Sequence, residues 1–326
     1  MLTTLEETVR LIEDGRILHI AADNSLLSRL PAGSWIGGTT PYFMGADGGV
    51  MTKDKLFVTE LDFAGEARIT SYGKYNVFQI VEDCYENGLT LIIMPYGSGV
   101  VEKYAKEAPD VEELLMHPTV GWIAGSELGS GDEIRVYDGS TGEAYNDRAV
   151  VMYIKLPENK TALVNLVNIF SDDKKDPVIT FPDNELRVTK CRVNGQEVDF
   201  AEYIKKESID IKMPLVADYN GSYINTSIKA AGENTIDLYA PVFRNIEYRF
   251  ARHVDDYVKE FTDRISRSGA DDPVLSFNCI LNYLYGGLEG KRTGNYAGPI
   301  TFGEIAYQLI NQTLVYFEIL ESSDKG

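Results

Sequence analysis

Gly294-Asn295-Tyr296-Ala297-Gly298-Pro299-Ile300-Thr301-Phe302-Gly303-Glu304-Ile305-Ala306-Tyr307-Gln308-Leu309-Ile310-Asn311-Gln312-Thr313-Leu314-Val315-Tyr316-Phe317-Glu318-Ile319-Leu320 decides how this chain is read. Gly298-Pro299 is turn chemistry. Ile300, Phe302 and Ile305 fit a short buried strand, although the carboxylate of Glu304 lies inside that run. Leu314 to Leu320 is apolar on both faces and reads as a second, mostly buried strand. A carboxylate and an amide, Glu304 and Asn311, therefore stand between two buried strands, where desolvation is costly without partners. Either they hold the fold together or they hold a ligand. In a ligand role Glu304 accepts an ammonium or acts as a general base with a pKa raised by burial. In a structural role it accepts backbone N–H groups and pins a turn. Asn311 carries the same two readings, a ligand contact or a turn cap.

The rest of the chain sets the frame for these residues. With 326 residues, 44% hydrophobic and 11% aromatic, the chain has material for two domains with full cores. No apolar run approaches a membrane span, and the first residues lack the basic-then-apolar pattern of a secretory signal. Three widely spaced cysteines, Cys84, Cys191 and Cys279, argue against a disulfide framework or a thiolate metal site and fit a cytoplasmic protein with reduced thiols. The net charge of −19 opposes binding to nucleic acid or anionic lipid.

In chain order, Thr4-x-x-Glu7 is a capping box ahead of a helical stripe at Leu5, Val9 and Ile12. Strands are expected at 17–22, 34–43, 56–61, 89–95, 118–125 and 149–156, with a hairpin turn at Asp47-Gly48-Gly49. Val77, Ile80, Val81, Cys84 and Tyr85 predict a helix over 74–87 that Gly88 ends. A polar, proline-bearing segment at 157–160 places a domain boundary there, giving units 1–157 and 158–326. In the second unit, strands are expected at 162–170, 186–193, 222–228, 235–239 and 275–279. Helices are expected at 200–206 and along Val254, Tyr257, Val258, Phe261 and Ile265, the latter stopped by Gly269 before Asp271-Asp272-Pro273. The predicted fold class is α/β, mixed α+β. Two halves of related size carry mixed, largely antiparallel sheets inside and helices outside, as a layered sandwich.

Four further features carry candidate chemistry. Cys279 ends a strand, as a small buried hydrophobe or as a thiol lining a pocket; no basic neighbour in sequence marks a nucleophile. Gly37-Gly38-Thr39-Thr40 and Gly97-Ser98-Gly99 are strand-end turns that can also present N–H groups to an anion. His19, His117 and His253 are isolated, His19 as a core residue, and no spacing supports a metal. Tyr42, Tyr96, Tyr285 and Tyr296 flank glycine-rich bends and suit the walls of a small-ligand pocket.

Phe302-Gly303-Glu304-Ile305, Asn311-Gln312-Thr313-Leu314 and the Leu275–Cys279 strand occur in an order that resembles the C-terminal half of the FIST family of bacterial sensory domains. Gly37 to Thr40, Pro118 to Gly125 and Asp138-Gly139 resemble, more loosely, its N-terminal half. The family often has a His before the Asn; Ile310 stands there in this chain. The resemblance implies a cytoplasmic sensory protein binding a small ligand, with amino acids as the proposed class and Glu304, Asn311, Cys279, Gly303, Thr39 and Thr40 as the residues around it. With no output domain after residue 320, signalling is expected to run through a separate partner in trans. No cofactor is expected: haem, which some relatives bind, has no His on a matching position. Two alternatives stand beside this reading. One is a small-molecule hydrolase or lyase using Glu304 with Cys279 or Asn311. The other is a ligand-free interaction scaffold.

Overall fold

A computed structural model describes residues 1–219, 222–268 and 273–321. Its strands form four six-stranded sheets and one three-stranded sheet among those residues. The first sheet orders Leu2–Thr3, Leu56–Glu60, Leu18–Ala22, Trp35–Thr39, Val136–Asp138 and Glu143–Tyr145. The second orders Gln308–Ile310, Glu304–Ala306, Thr119–Ala124, Gly88–Pro95, Arg148–Lys155 and Glu66–Gly73. The third orders Lys160–Val167, Leu314–Glu321, Leu275–Cys279, Gly298–Thr301, Tyr42–Gly45 and Gly48–Met51. Most pairings are antiparallel; Leu18–Ala22 with Trp35–Thr39, Gly88–Pro95 with Thr119–Ala124 and Leu275–Cys279 with Gly298–Thr301 are parallel.

The first three sheets meet around one apolar core. Ile36 and Phe57 come from the first, Ile93, Trp122 and Met152 from the second, and Phe43, Phe277 and Phe317 from the third. Helices close the outer faces. Leu5–Glu13 and Asn24–Leu27 bury Ile12 and Leu27 against Leu18, Ile20 and Trp35. Gly99–Glu107 buries Val100 and Tyr104 against Ile92, Met94 and Val151. Tyr257–Ser268 and Ile280–Tyr285 bury Phe261 and Leu281 against Ile300, Leu314 and Tyr316. The mixed α/β class, with sheets inside and helices outside, is the architecture expected from the strand-and-stripe pattern.

The expected division at 157/158 does not separate the sheets. Gly298–Thr301 pairs with Tyr42–Gly45, and Glu304–Ala306 pairs with Thr119–Ala124. Strands on either side of residue 157 thus share two sheets: Glu304–Ala306 and Gln308–Ile310 extend the second, and Tyr42–Gly45 with Gly48–Met51 extend the third, because strand edges are satisfied by whichever partner the topology brings. The remaining two sheets, built from residues 179–250, pack over Phe181, Phe200, Leu215 and Tyr248 with the helix Phe200–Lys206 on them.

Several local expectations are corrected. Residues 74–87 hold a 3₁₀ helix at Val77–Asp83 rather than a longer α-helix. The tertiary environment buries Val77 and Ile80, and Tyr153 takes the Ile80 carbonyl. The run 186–193 is two strands, Glu185–Val188 and Lys190–Val193, which belong to different sheets. The helix Gly99–Glu107, capped by Ser98 on the Val101 N–H, follows the Gly97-Ser98-Gly99 turn through residues for which the sequence reading expects no element. The stripe helix begins at Tyr257, after Val254, and is drawn to Ser268. The side chain of Ile265, together with Gly269, Asp271 and Asp272, lies outside the described residues. Among the described residues no helix is long and apolar enough to cross a membrane.

Candidate functional site

The decisive C-terminal stretch is not one strand but a crossing between two sheets. Gly298–Thr301 ends in the third sheet and Glu304–Ala306 begins in the second. Phe302 N–H donates to the Ile123 carbonyl and Ile123 N–H to the Gly303 carbonyl, both at 2.9 Å. Gly303 makes the step at φ +148°, and a Cβ there would lie 3.0 Å from Ile123 and 3.1 Å from Leu309. Gly303 is therefore required by backbone geometry.

Glu304 ties this crossing down. Its Oε1 accepts the Thr301 hydroxyl at 2.7 Å. Its Oε2 accepts the Thr313 hydroxyl at 2.9 Å and the Thr313 N–H at 3.3 Å. The Cys279 thiol adjoins the same carboxyl. Glu304 is fully buried, and that burial pushes its pKa up to about 8 against the pull of these donors. Burial also pushes the Cys279 thiol well above its ordinary range, with the Glu304 carboxyl adding to the rise. A thiol so raised is not a nucleophile at neutral pH.

Asn311 turns away from Glu304. Its Oδ1 accepts Ser227 N–H at 3.0 Å and the Ser227 hydroxyl at 2.7 Å, while its Nδ2 is buried without a partner. Next to it, the Gln312 carbonyl accepts Asn225 Nδ2 at 3.1 Å and Gln312 Nε2 donates to the Lys212 carbonyl at 3.1 Å. Asn311 and Gln312 thus hold Lys212, Asn225 and Ser227 onto the approach to the C-terminal strand. Thr39 and Thr40 are also committed to the fold. The Thr39 hydroxyl accepts Arg135 N–H at 3.1 Å, and the Thr40 hydroxyl donates to the Ile300 carbonyl at 2.9 Å. A Cβ on Gly38 would sit 2.7 Å from Ile93, so that glycine serves close sheet packing.

None of Glu304, Asn311, Cys279, Gly303, Thr39 and Thr40 lines a cleft that the two halves of the chain build together around Tyr96. That cleft, about 190 Å³, opens beyond the carboxyl ends of the parallel strands Gly88–Pro95 and Thr119–Ala124. Tyr96, Gly97, Ser98, Val101 and Glu102 form one wall; Leu186, Lys229, Leu238 and Tyr239 form the other, with Phe302 beside Tyr96. The Tyr96 and Phe302 rings lie 6.0 Å apart, and the Lys229 ammonium sits 5.2 Å from the centre of the Tyr96 ring. Burial raises the Tyr239 hydroxyl to about 12, so it is a neutral donor at physiological pH.

Sequence reasoning reached Tyr96 and Gly97-Ser98 through their glycine-rich bend, and Phe302 through its motif. It missed Leu186, Lys229, Leu238 and Tyr239. These stand on Glu185–Val188, Ile228–Ala231 and Ile236–Val242, the three-stranded sheet, and nothing local signals that this sheet closes over Tyr96. Tyr42 and Tyr296 are core residues, and Tyr285 lies under Lys212. His19 accepts the Trp122 indole N–H at 2.8 Å between the Trp122 and Phe277 rings, while its Nδ1 is buried without a partner. Among the described residues no group of three or more His, Cys, Asp and Glu side chains is placed to hold a metal ion.

Comparison with known proteins overturns the resemblance to FIST domains. The short motifs behind it spell structural demands: a glycine at a sheet crossing, a buried carboxyl that anchors it, and an amide that pins a hairpin. A search of curated proteins gives no match. The family model that does match covers residues 3–320, nearly the whole chain, and describes a family of unknown function, DUF6976, to which this chain belongs.

Proposed function

We propose that the protein binds a small molecule in the cleft between Tyr96, Lys229, Tyr239 and Phe302. The observation that carries this reading is the composition of that cleft. Its walls are mostly apolar and aromatic, interrupted by a few convergent polar groups, which is the usual make-up of a ligand site. Its position supports the same reading, since open α/β sheets take ligands beyond the carboxyl ends of parallel strands. The ligand is small: about 190 Å³ accommodates one ring or a short chain with a head group.

Catalysis by Glu304 with Cys279 or Asn311 is not part of this proposal. Glu304 and Cys279 do meet, but in sealed packing, and Asn311 is spent on Ser227. Signalling in trans rested on the FIST resemblance alone and is not carried forward. A cytoplasmic location fits the three free thiols, and the net charge of −19 disfavours nucleic-acid partners.

The test is a ligand-observed NMR screen of small aromatic and aliphatic fragments against the full chain and against Val101→Phe, which fills the cleft. Fragments that bind the natural protein and lose binding in the variant support the proposal. Fragments whose binding is indifferent to Val101→Phe, with the variant folded by circular dichroism, refute it.

A further inference from the structure

We infer that the ligand of this cleft carries a negative charge, a carboxylate or a similar oxyanion on a small flat or aliphatic body, received by Lys229. This inference rests on the cleft being a binding site and adds the class of compound it takes.

The inventory of polar groups leads there. Ser98 Oγ is used twice, donating to the Pro95 carbonyl at 2.7 Å and accepting Val101 N–H at 3.4 Å. The Glu102 carboxylate is held by Lys106 at 3.0 Å and has its pKa lowered by that contact, so its charge is already answered. Lys229 is different. It lies over the Tyr96 ring and makes no ion pair with any described residue. Asp237, whose carboxyl responds to its charge, is held instead by Arg187 at 2.5 Å. On a chain with 50 acidic and 31 basic residues, an ammonium left without a carboxylate partner at the mouth of an apolar cleft is the group an incoming anion meets. The rings of Tyr96, Tyr239 and Phe302, and beyond them Ala105 and Leu309, offer mostly apolar or ring contact for the remainder of the molecule, with the Tyr96 and Tyr239 hydroxyls as further polar groups.

Benzoate, benzamide and benzylamine share size and shape and differ in charge, so they separate the readings. Each is titrated by ligand-observed NMR into the full chain, into Lys229→Gln, into Glu102→Gln and into Val101→Phe. The expected result is that benzoate binds at least tenfold more tightly than the other two. It also loses at least tenfold in Lys229→Gln, weakens with added salt, and binds at least as tightly in Glu102→Gln, which removes a negative charge from the same cleft. Benzamide or benzylamine binding as tightly as benzoate, or benzoate binding unchanged in Lys229→Gln, overturns the anion assignment. The cleft itself stands in that case if Val101→Phe abolishes whatever binds. If none of the three binds, the anion assignment falls, and the fragment screen decides separately whether the cleft is a site.

Discussion

Replacing Glu304 by Gln should remove the loss of stability that this carboxyl causes as pH rises above neutrality. In the folded chain burial raises this carboxyl from 4.5 to about 8; in the unfolded chain it titrates at its ordinary value. Between those two values the native state holds a proton that the unfolded state has released. Stability therefore falls as pH rises through that window, by at most about 1.36 kcal/mol per pH unit. Over the whole window the loss approaches about 5 kcal/mol, and between pH 6.5 and 8 alone it is about 1.5 kcal/mol. The comparison with the variant isolates this carboxyl, because His19, depressed by burial to about 3, and the Met1 ammonium, lowered by burial to about 6, contribute with the opposite sign equally in both proteins. Glutamine fits the same partners: its carbonyl accepts from Thr313, and its amide donates to the Thr301 hydroxyl, which can accept. Urea unfolding followed by tryptophan fluorescence at pH 6.5, 7.25 and 8 measures the effect. Natural protein should lose about 1.5 kcal/mol across the series relative to Glu304→Gln. Parallel curves for the two proteins would refute the claim that Glu304 is held neutral by burial.

His19→Leu leaves the Trp122 indole N–H without its acceptor and should cost about 1–3 kcal/mol at pH 7. The variant should also lose less stability than the natural protein as pH falls from 6.5 towards 3, measured by acid unfolding, because a buried neutral histidine no longer has to be charged. Gly121→Ala places a Cβ 1.8 Å from the Ile92 carbonyl oxygen, a collision between paired backbones, and should destabilise by about 3 kcal/mol or more, read as a fall in Tm. Thr4→Ala removes the side-chain acceptor of the Glu7 N–H while leaving the backbone half of the capping box, and should cost about 1 kcal/mol in urea unfolding. Arg187→Ala, by contrast, breaks an exposed pair with Asp237 and should change stability by less than about 1 kcal/mol.

Much of the secondary structure was legible because its signals are local. The Thr4 capping box, the turn at Asp47-Gly48-Gly49, the apolar strand Leu275–Cys279 and the helix Phe200–Lys206 all formed where residue spacing placed them. The 3₁₀ helix at Val77–Asp83 shows the limit of such spacing, since apolar residues at helical intervals also satisfy a tighter turn against a sheet.

Sequence by itself determined that this chain builds layered sheets under helices, and that Glu304 and Asn311 sit among buried strands and must be partnered. Tertiary structure decided who the partners are: two threonines and a thiol for Glu304, a serine on a distant hairpin for Asn311. It also decided that Phe302 and Gly303 carry the chain from one sheet into another, and that a three-stranded sheet drawn from Glu185–Val188, Ile228–Ala231 and Ile236–Val242 closes a cleft over Tyr96. The physical reason is that residue pattern fixes which side of an element is buried, whereas the choice of neighbouring strand depends on hydrogen bonds and packing between segments far apart in the chain.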